Sequence, residues 1–269
     1  MPNAMLERVL IPLDGSGRAE SILPLLRPIL RRSGSEIFLV RALDAPPDPV
    51  AFDEADRYLT GIADELLEDG LCVHTLVSAG SAPHVIESLA ADEEVTLIAM
   101  ATHGDSSDDR PVGPVLERML RDSWRPLLAL GPSHARRLAL RQHRSILVPL
   151  DGSETSRRSL PLAVELAGAL DARLVLLRVI EQPSEEPDAI RDLREIVERL
   201  HRRGVIAEIW IESGDPAENI LRVCRDEDIQ LIVQTTQGRS GMSDRIFGEV
   251  TLQLMKDSPV PVLAVHLRG

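Results

Sequence analysis

Two three-residue stretches, Asp14-Gly15-Ser16 and Asp151-Gly152-Ser153, each follow a short apolar run, VLIPL and ILVPL. An aspartate at the carboxyl end of a strand can accept from ribose hydroxyls or hold a Mg²⁺ ion. The same residues can serve the fold instead, with Asp or Ser capping the helix that follows. Farther along, residues 231–251 read LIVQTTQGRSGMSDRIFGEVT. An apolar run ends near Gly238, a polar loop follows, and Gly248 opens a stretch of helical character. That layout can present backbone N–H groups to an anion. Glu249 comes directly after the second glycine and puts a negative charge where a phosphate would face.

These stretches belong to a unit written twice. VLIPLDGS (9–16) returns as ILVPLDGS (146–153), and EIFLVRAL (36–43) returns as RLVLLRVI (173–180). SAGSAPHVIESLA matches ESGDPAENILRVC, TLIAMATHG matches QLIVQTTQG, and RPLLALG matches VPVLAVH. The repeat is the size of a whole domain, so residues 1–133 and 144–269 are expected to fold as two. In the second copy the apolar, β-branched runs predict strands over 145–150, 174–180, 207–211, 231–236 and 261–266. Helical periodicity predicts helices near 156–170, 188–203, 217–227 and 243–256; Leu193, Ile196, Val197 and Leu200 draw one apolar stripe. Continuous apolar strands, each followed by a helix, imply an α/β fold with a parallel sheet covered on both faces.

Composition excludes several classes. The 269 residues carry a formal net charge of −13, which opposes nucleic acid, whose backbone must be met by Lys and Arg. No apolar run reaches the roughly 18 residues a membrane span needs, and the first fifteen residues lack the pattern of a secretion signal, so a cytoplasmic protein is expected. Aromatic residues are 2% of the chain, so the core must be aliphatic. Cys72 and Cys224 form no CxxC or other ligand-spaced pair and are read as buried small hydrophobes. The basic stretch 131–144, GPSHARRLALRQHR, is read as a solvated linker.

An Asp closing strand one, followed after strand four by a pattern of the form G-x-x-G-x₉-G-[ST], resembles the universal stress protein family, and the likeness covers both copies. The resemblance implies two tandem doubly wound five-stranded parallel-sheet domains that pair through their fifth strands, PLLAL and VPVLAV, as a pseudo-dimer inside one chain. Further homodimerisation and protein clients would be the remaining partners. Some members of that family bind ATP and others do not. In those that do, the strand-one Asp, backbone at the end of strand two and the glycine loop hold it.

Carried over by position, this implies Asp151, Val179, Gly238, Gly248 and Val250 in the second copy, with Thr235 and Glu249 in place of the family's first glycine and its Ser or Thr. The first copy offers Asp14, Ala42, Gly104, Gly113 and Val115, with Ala101 at the first glycine, Pro114 after the last, and a spacer one residue short. Proline has no N–H to donate to a phosphate. At about 4 Å and an effective dielectric near 20, Glu249 would repel each phosphate charge by roughly 4 kcal/mol, on the order of a thousandfold in affinity. The expectation is therefore a stress-response binding or regulatory protein without turnover, its site degraded in the first copy and doubtful in the second. The alternative is an ATP- or AMP-binding sensor, or a slow ATPase with Mg²⁺ in the second cleft. His103 is read as a loop hydrogen-bonder, and the acidic run Asp105–Asp109 as a solvated loop. His134 and His143 are read as linker residues, and no histidine is placed to make Ser16 or Ser153 a hydrolase nucleophile.

Overall fold

The computed structural model describes residues 4–44, 46, 48–103, 112–131, 144–236 and 248–266. The chain divides into two compact units, Met1–Pro132 and Ser133–Gly269. The first runs β1 (Arg8–Pro12), α1 (Gly17–Glu20), α2 (Leu23–Ser33), β2 (Glu36–Leu43), α3 (Pro49–Glu68), β3 (Cys72–Ala79), α4 (Ala82–Asp92), β4 (Leu97–Ala101), α5 (Pro114–Asp122) and β5 (Leu127–Leu130). Its strand order is β3-β2-β1-β4-β5, every resolved pairing parallel. The order reverses between β1 and β4, which opens a crevice at their carboxyl ends.

The second unit repeats this with β6 (Arg144–Pro149), α6 (Glu154–Arg157), α7 (Leu160–Leu170), β7 (Ala172–Ile180), α8 (Glu186–His201), β8 (Ala207–Ser213), α9 (Pro216–Asp226), β9 (Ile229–Thr235), α10 (Glu249–Asp257) and β10 (Val262–Val265). Within it the order is β8-β7-β6-β9-β10, so the crevice lies between β6 and β9. The predicted strands of this copy are all present, with ends that differ by at most two residues.

The cores are aliphatic, as the composition required. Leu10, Ile11, Ile37, Leu39, Leu97 and Ile98 are buried in the first unit, and Ile146, Leu147, Leu174, Leu176, Ile232 and Val233 in the second. Leu193, Ile196 and Leu200 of α8 are buried as the stripe predicts, while Val197 at its margin is half-buried.

Two expectations are corrected. The helix predicted over 156–170 is two helices, α6 and α7, because Pro161 has no N–H to bond back to Arg157 and falls instead in the first turn of a new helix. Pro24 divides α1 from α2 in the same way. Cys72, read as buried, is exposed at the start of β3, the strand that ends the first unit's own order; Cys224 is buried as expected.

Candidate functional site

Both DGS stretches form the same turn. Asp14 Oδ1 accepts from the Ser16 N–H at 2.9 Å and from the Ser16 hydroxyl at 2.6 Å, and Ser16 Oγ caps α1 by accepting from the Ala19 N–H. Asp151, Ser153 and the Ser156 N–H reproduce these bonds at 2.9, 2.6 and 3.0 Å. The capping reading of the motif is therefore what the fold uses, and one oxygen of each aspartate is committed to it. Gly15 and Gly152 have φ of +86° and +88°, the left-handed region where a side chain is strained.

Those glycines also lie against an arginine the sequence reading passed over, whose guanidinium a side chain there would displace. A Cβ on Gly15 would stand 2.8 Å from Arg41 Nη1, and one on Gly152 would collide with the Arg178 guanidinium. Each arginine lies one residue before the strand-two positions Ala42 and Val179. The signal was available, because Arg41 and Arg178 hold the same place in the repeated segments EIFLVRAL and RLVLLRVI. The two are held differently. Arg41 lies over the Tyr58 ring, 5.1 Å from its centre, and the Tyr58 hydroxyl donates to Glu20 at 2.9 Å. Burial, and then the bond to Glu20, push the Tyr58 hydroxyl well above its usual value near 10. Arg178 donates to the Leu150 carbonyl at 3.1 Å and faces Asp192, which also pairs with Arg157.

Sheet topology gathers the predicted site residues at one end of each unit. Asp14 follows β1, and β1 lies between β2 and β4. The β1–β2 ladder stops at Pro12 opposite Val40, and Leu13 N–H closes it on the Val40 carbonyl. Strand β2 runs on through Ala42, so its backbone there extends past the end of β1 beside Asp14. Val179 on β7 has the same relation to Asp151, past the Leu150-to-Leu177 bond. Ala101 and Thr235 are the last residues of β4 and β9; Thr235 is buried and in register with Val265. Gly104, Gly238, the Asp105–Asp109 run, His134 and His143 lie outside the described residues. The His103 ring, half-buried, is 3.0 Å from Thr102 Oγ1, a loop hydrogen bond as read.

The helices after the glycine loops begin alike and present different groups. Gly113 and Gly248 are the N-caps of α5 and α10, with φ of −65° in each. Their own N–H groups are already used, donating to the Thr102 carbonyl at 2.8 Å and the Thr236 carbonyl at 3.1 Å. The first intrahelical bonds are made by Glu117 and Leu252, so the earlier amides face off the helix end. In α5 these are Val115 and Leu116, since Pro114 has none; in α10 they are Glu249, Val250 and Thr251. Pro114 sits at the first helical position, where proline is structurally favoured. A Cβ on Gly113 would lie 3.0 Å from the Thr102 carbonyl, whereas among the described residues nothing lies within 4 Å of one on Gly248. Glu249 occupies the first position of α10 and is exposed, where its charge favours the helix dipole. Exposure also places it in nearly bulk dielectric, so its repulsion of a phosphate at about 4 Å falls toward about 1 kcal/mol.

A doubly wound α/β unit with its cleft at the strand-order reversal, present twice, is the class to which this molecule belongs. The model of the Universal stress protein family matches residues 5–130 and again 142–266. The Universal stress protein YxiE of Bacillus subtilis is 30% identical over 144 residues, 45% of this chain and 97% of that one. The Universal stress protein MJ0531 of Methanocaldococcus jannaschii is 27% identical over 139 residues, 46% of this chain and 82% of that one. The crystal structure of a universal stress protein from Archaeoglobus fulgidus shares the fold, with a TM-score of 0.81 at 24% identity over 99% of both chains. The chain belongs to the Universal stress protein family, as two tandem domains. Among the described residues no helix is long and apolar enough to cross a membrane.

Proposed function

We propose that this protein is a stress-response binding module without turnover of its own, in which the second unit keeps the better nucleotide cleft and favours a nucleoside or monophosphate over a triphosphate. The observation that carries this is the pair of helix starts. Pro114 removes an amide donor from α5, while α10 retains the amides of residues 249–251 and sets the Glu249 carboxylate beside them. A ligand with one phosphate meets those amides with less accumulated repulsion than one with three. In this reading Asp151, Val179, Gly238, Gly248 and Val250 line the second cleft, and Arg178 fixes the turn that carries Asp151. Mg²⁺ between Asp151 and Glu249 would reverse the sign of the repulsion and underlies the competing reading, a slow ATPase or ATP sensor.

Calorimetric titration of the full chain with adenosine, AMP and ATP, each with and without Mg²⁺, tests this. The expected order is AMP tighter than ATP in the absence of Mg²⁺, with no phosphate release on incubation. Glu249→Ser should tighten ATP binding by several-fold, as expected for about 1 kcal/mol per close charge pair in water, while Pro114→Ser should change it less. Affinity for every ligand weaker than millimolar would remove the nucleotide reading, and Mg²⁺-dependent phosphate release lost in Glu249→Gln would establish the ATPase.

The same reading keeps the pairing of the two copies through β5 and β10. Each of these strands ends its own unit's order and would otherwise be an unpaired apolar edge. A chain cut after Ser133 should then self-associate on size-exclusion chromatography; a well-behaved monomer would count against the pairing.

A further inference from the structure

The amino ends of the strands, opposite the clefts, differ between the units in a way that carries its own chemistry. In the first unit Cys72 and His74 lie two residues apart on β3 and so share a face of the sheet. Glu36 of β2 is in register with Cys72, and Phe38 with His74. One ligand atom from each of Glu36, Cys72 and His74 lies within 4.8 Å of the other two. His74 Nε2 is 2.9 Å from Glu36 Oε1 and 3.8 Å from Cys72 Sγ. A tetrahedral zinc ion, with bonds of about 2.0 Å to nitrogen or oxygen and 2.3 Å to sulfur, holds its ligand atoms about 3.3 to 3.6 Å apart. The two separations therefore bracket the spacing such an ion requires, and small side-chain rotations complete it.

The surroundings orient the group. Arg8 Nε donates to Glu36 Oε2 at 2.8 Å, which leaves Oε1 turned to His74. The imidazole stacks on the Phe38 ring at 5.1 Å, which fixes its plane. Outer contacts of this kind are what hold first ligands in place at metal sites. With Cys72 as thiolate, two negative ligands outweigh the single charge of Arg8. Cys72 and His74 are both exposed, so an ion has a path in and a fourth position open to water.

The second unit supplies the control. Arg173 stands at the place of Glu36, Ile206 at that of Cys72 and Glu208 at that of His74. Arg173 Nη1 pairs with Glu208 Oε1 at 2.6 Å, and its Nε donates to Ser145 Oγ. The same three positions thus hold an ordinary ion pair in one copy and a sulfur, nitrogen and oxygen donor set in the other.

We infer that Glu36, Cys72 and His74 form a binding site for a borderline-soft divalent ion, of which zinc fits best, at the amino end of the first unit's sheet. Binding replaces the His74–Glu36 hydrogen bond. The neutral imidazole, whose Nε2–H donates to Glu36 in the metal-free chain, takes the tautomer with its proton on Nδ1 and so offers Nε2 to the metal. The Cys72 thiol loses its proton to solvent as sulfur binds, so one proton is released per ion. The site is independent of the nucleotide clefts.

The test is titration of the reduced, chelator-treated full chain with Co²⁺ alone, followed by Zn²⁺. The expected result is a thiolate-to-cobalt charge-transfer band in the near ultraviolet that saturates at one ion per chain and is bleached by Zn²⁺. Cys72→Ser should abolish the band, and His74→Ala and Glu36→Gln should each weaken binding at least tenfold, while Cys224→Ser leaves it unchanged. Zn²⁺ should also slow labelling of Cys72 by a thiol reagent. Absence of the band in the wild-type chain, or its survival in Cys72→Ser, would overturn the assignment. Glu36, Cys72 and His74 lie at the surface or half-buried, and an unchanged unfolding midpoint of their variants without metal separates ligand loss from misfolding.

Discussion

The two units share one scaffold and differ at both ends of it. At the carboxyl ends of the strands the Asp-Gly-Ser turn, its cap and the arginine behind the glycine are the same in both, to within 0.2 Å in the cap distances. The helix starts beside that turn have diverged to Pro114 and Glu249, and at the amino ends the first unit has a Glu-Cys-His group where the second has an Arg-Glu pair. The contrast separates two kinds of constraint. The turn closes a hydrogen-bond cycle around a backbone that glycine adopts freely and other residues only with strain, so altering any member costs stability. The first residue of a helix and the exposed face of an outer strand carry little of the fold, and can change sign of charge or chemistry without unfolding it.

The sharpest test of that contrast is the reactivity of the two thiols. Cys72 is exposed, whereas burial pushes the Cys224 thiol up to about 12 and so disfavours the reactive thiolate. A chromogenic disulfide reagent should therefore label one thiol in the native chain and the second only with denaturant. Cys72→Ser should remove the fast phase, and two fast phases would show that the second unit opens readily.

Next in size is the glycine of the turn. Gly152→Ala should destabilise the chain by about 1–2 kcal/mol from the positive φ alone, with an added cost for displacing Arg178. Gly248→Ala, at φ −65° with no described residue within 4 Å of a new Cβ, should stay under about 1 kcal/mol. Denaturant midpoints compare the two, and equal losses would contradict the division drawn between turn and helix start.

The arginines sharpen it further. Asp192→Asn should cost about 1–2 kcal/mol, because both Arg178 and Arg157 lean on that carboxylate. Tyr58→Phe, which removes only the bond to Glu20, should cost about half as much or less. A larger loss from Tyr58→Phe would mean that the hydroxyl's bond to Glu20 does more for the first unit than the Asp192 carboxylate does for the second.

The smallest effect expected at neutral pH concerns His266, whose place in the first unit is taken by Gly131. Burial lowers its imidazole from 6.5 to about 4, and among the described residues its Nε2 has no partner. Between those values the unfolded chain binds a proton that the folded chain does not. Stability should thus fall as pH drops from about 6.5 toward 4, by at most about 1.4 kcal/mol per unit, and His266 should contribute no slope above pH 7. His266→Leu should flatten that part of the profile, as read by thermal midpoints across the range.

Much of this organisation could be read before any coordinates. The repeat, the parallel sheets and the positions of Asp14, Asp151 and Gly248 followed from periodicity and recurring segments, and Gly113 from the family resemblance. The helix break at Pro161 was equally visible and was missed because the apolar pattern continues across it. The exposure of Cys72 was not legible: a small apolar residue opening a strand reads as core unless one knows that β3 ends its sheet's order. Arg41 and Arg178 recur in the sequence, but nothing there says that their guanidinium groups reach back to a glycine 26 residues earlier.

The sequence by itself determined the elements, their order and the doubling, because hydrophobic period, prolines and glycines act over a few residues and leave a local trace. The tertiary structure alone decided which side chains meet. Glu36 reaches Cys72 and His74, and Arg178 reaches Gly152, only because parallel strands bring side by side residues that the chain separates by a whole helix. Register between strands depends on the packing of both faces at once, and no short window of residues contains that information.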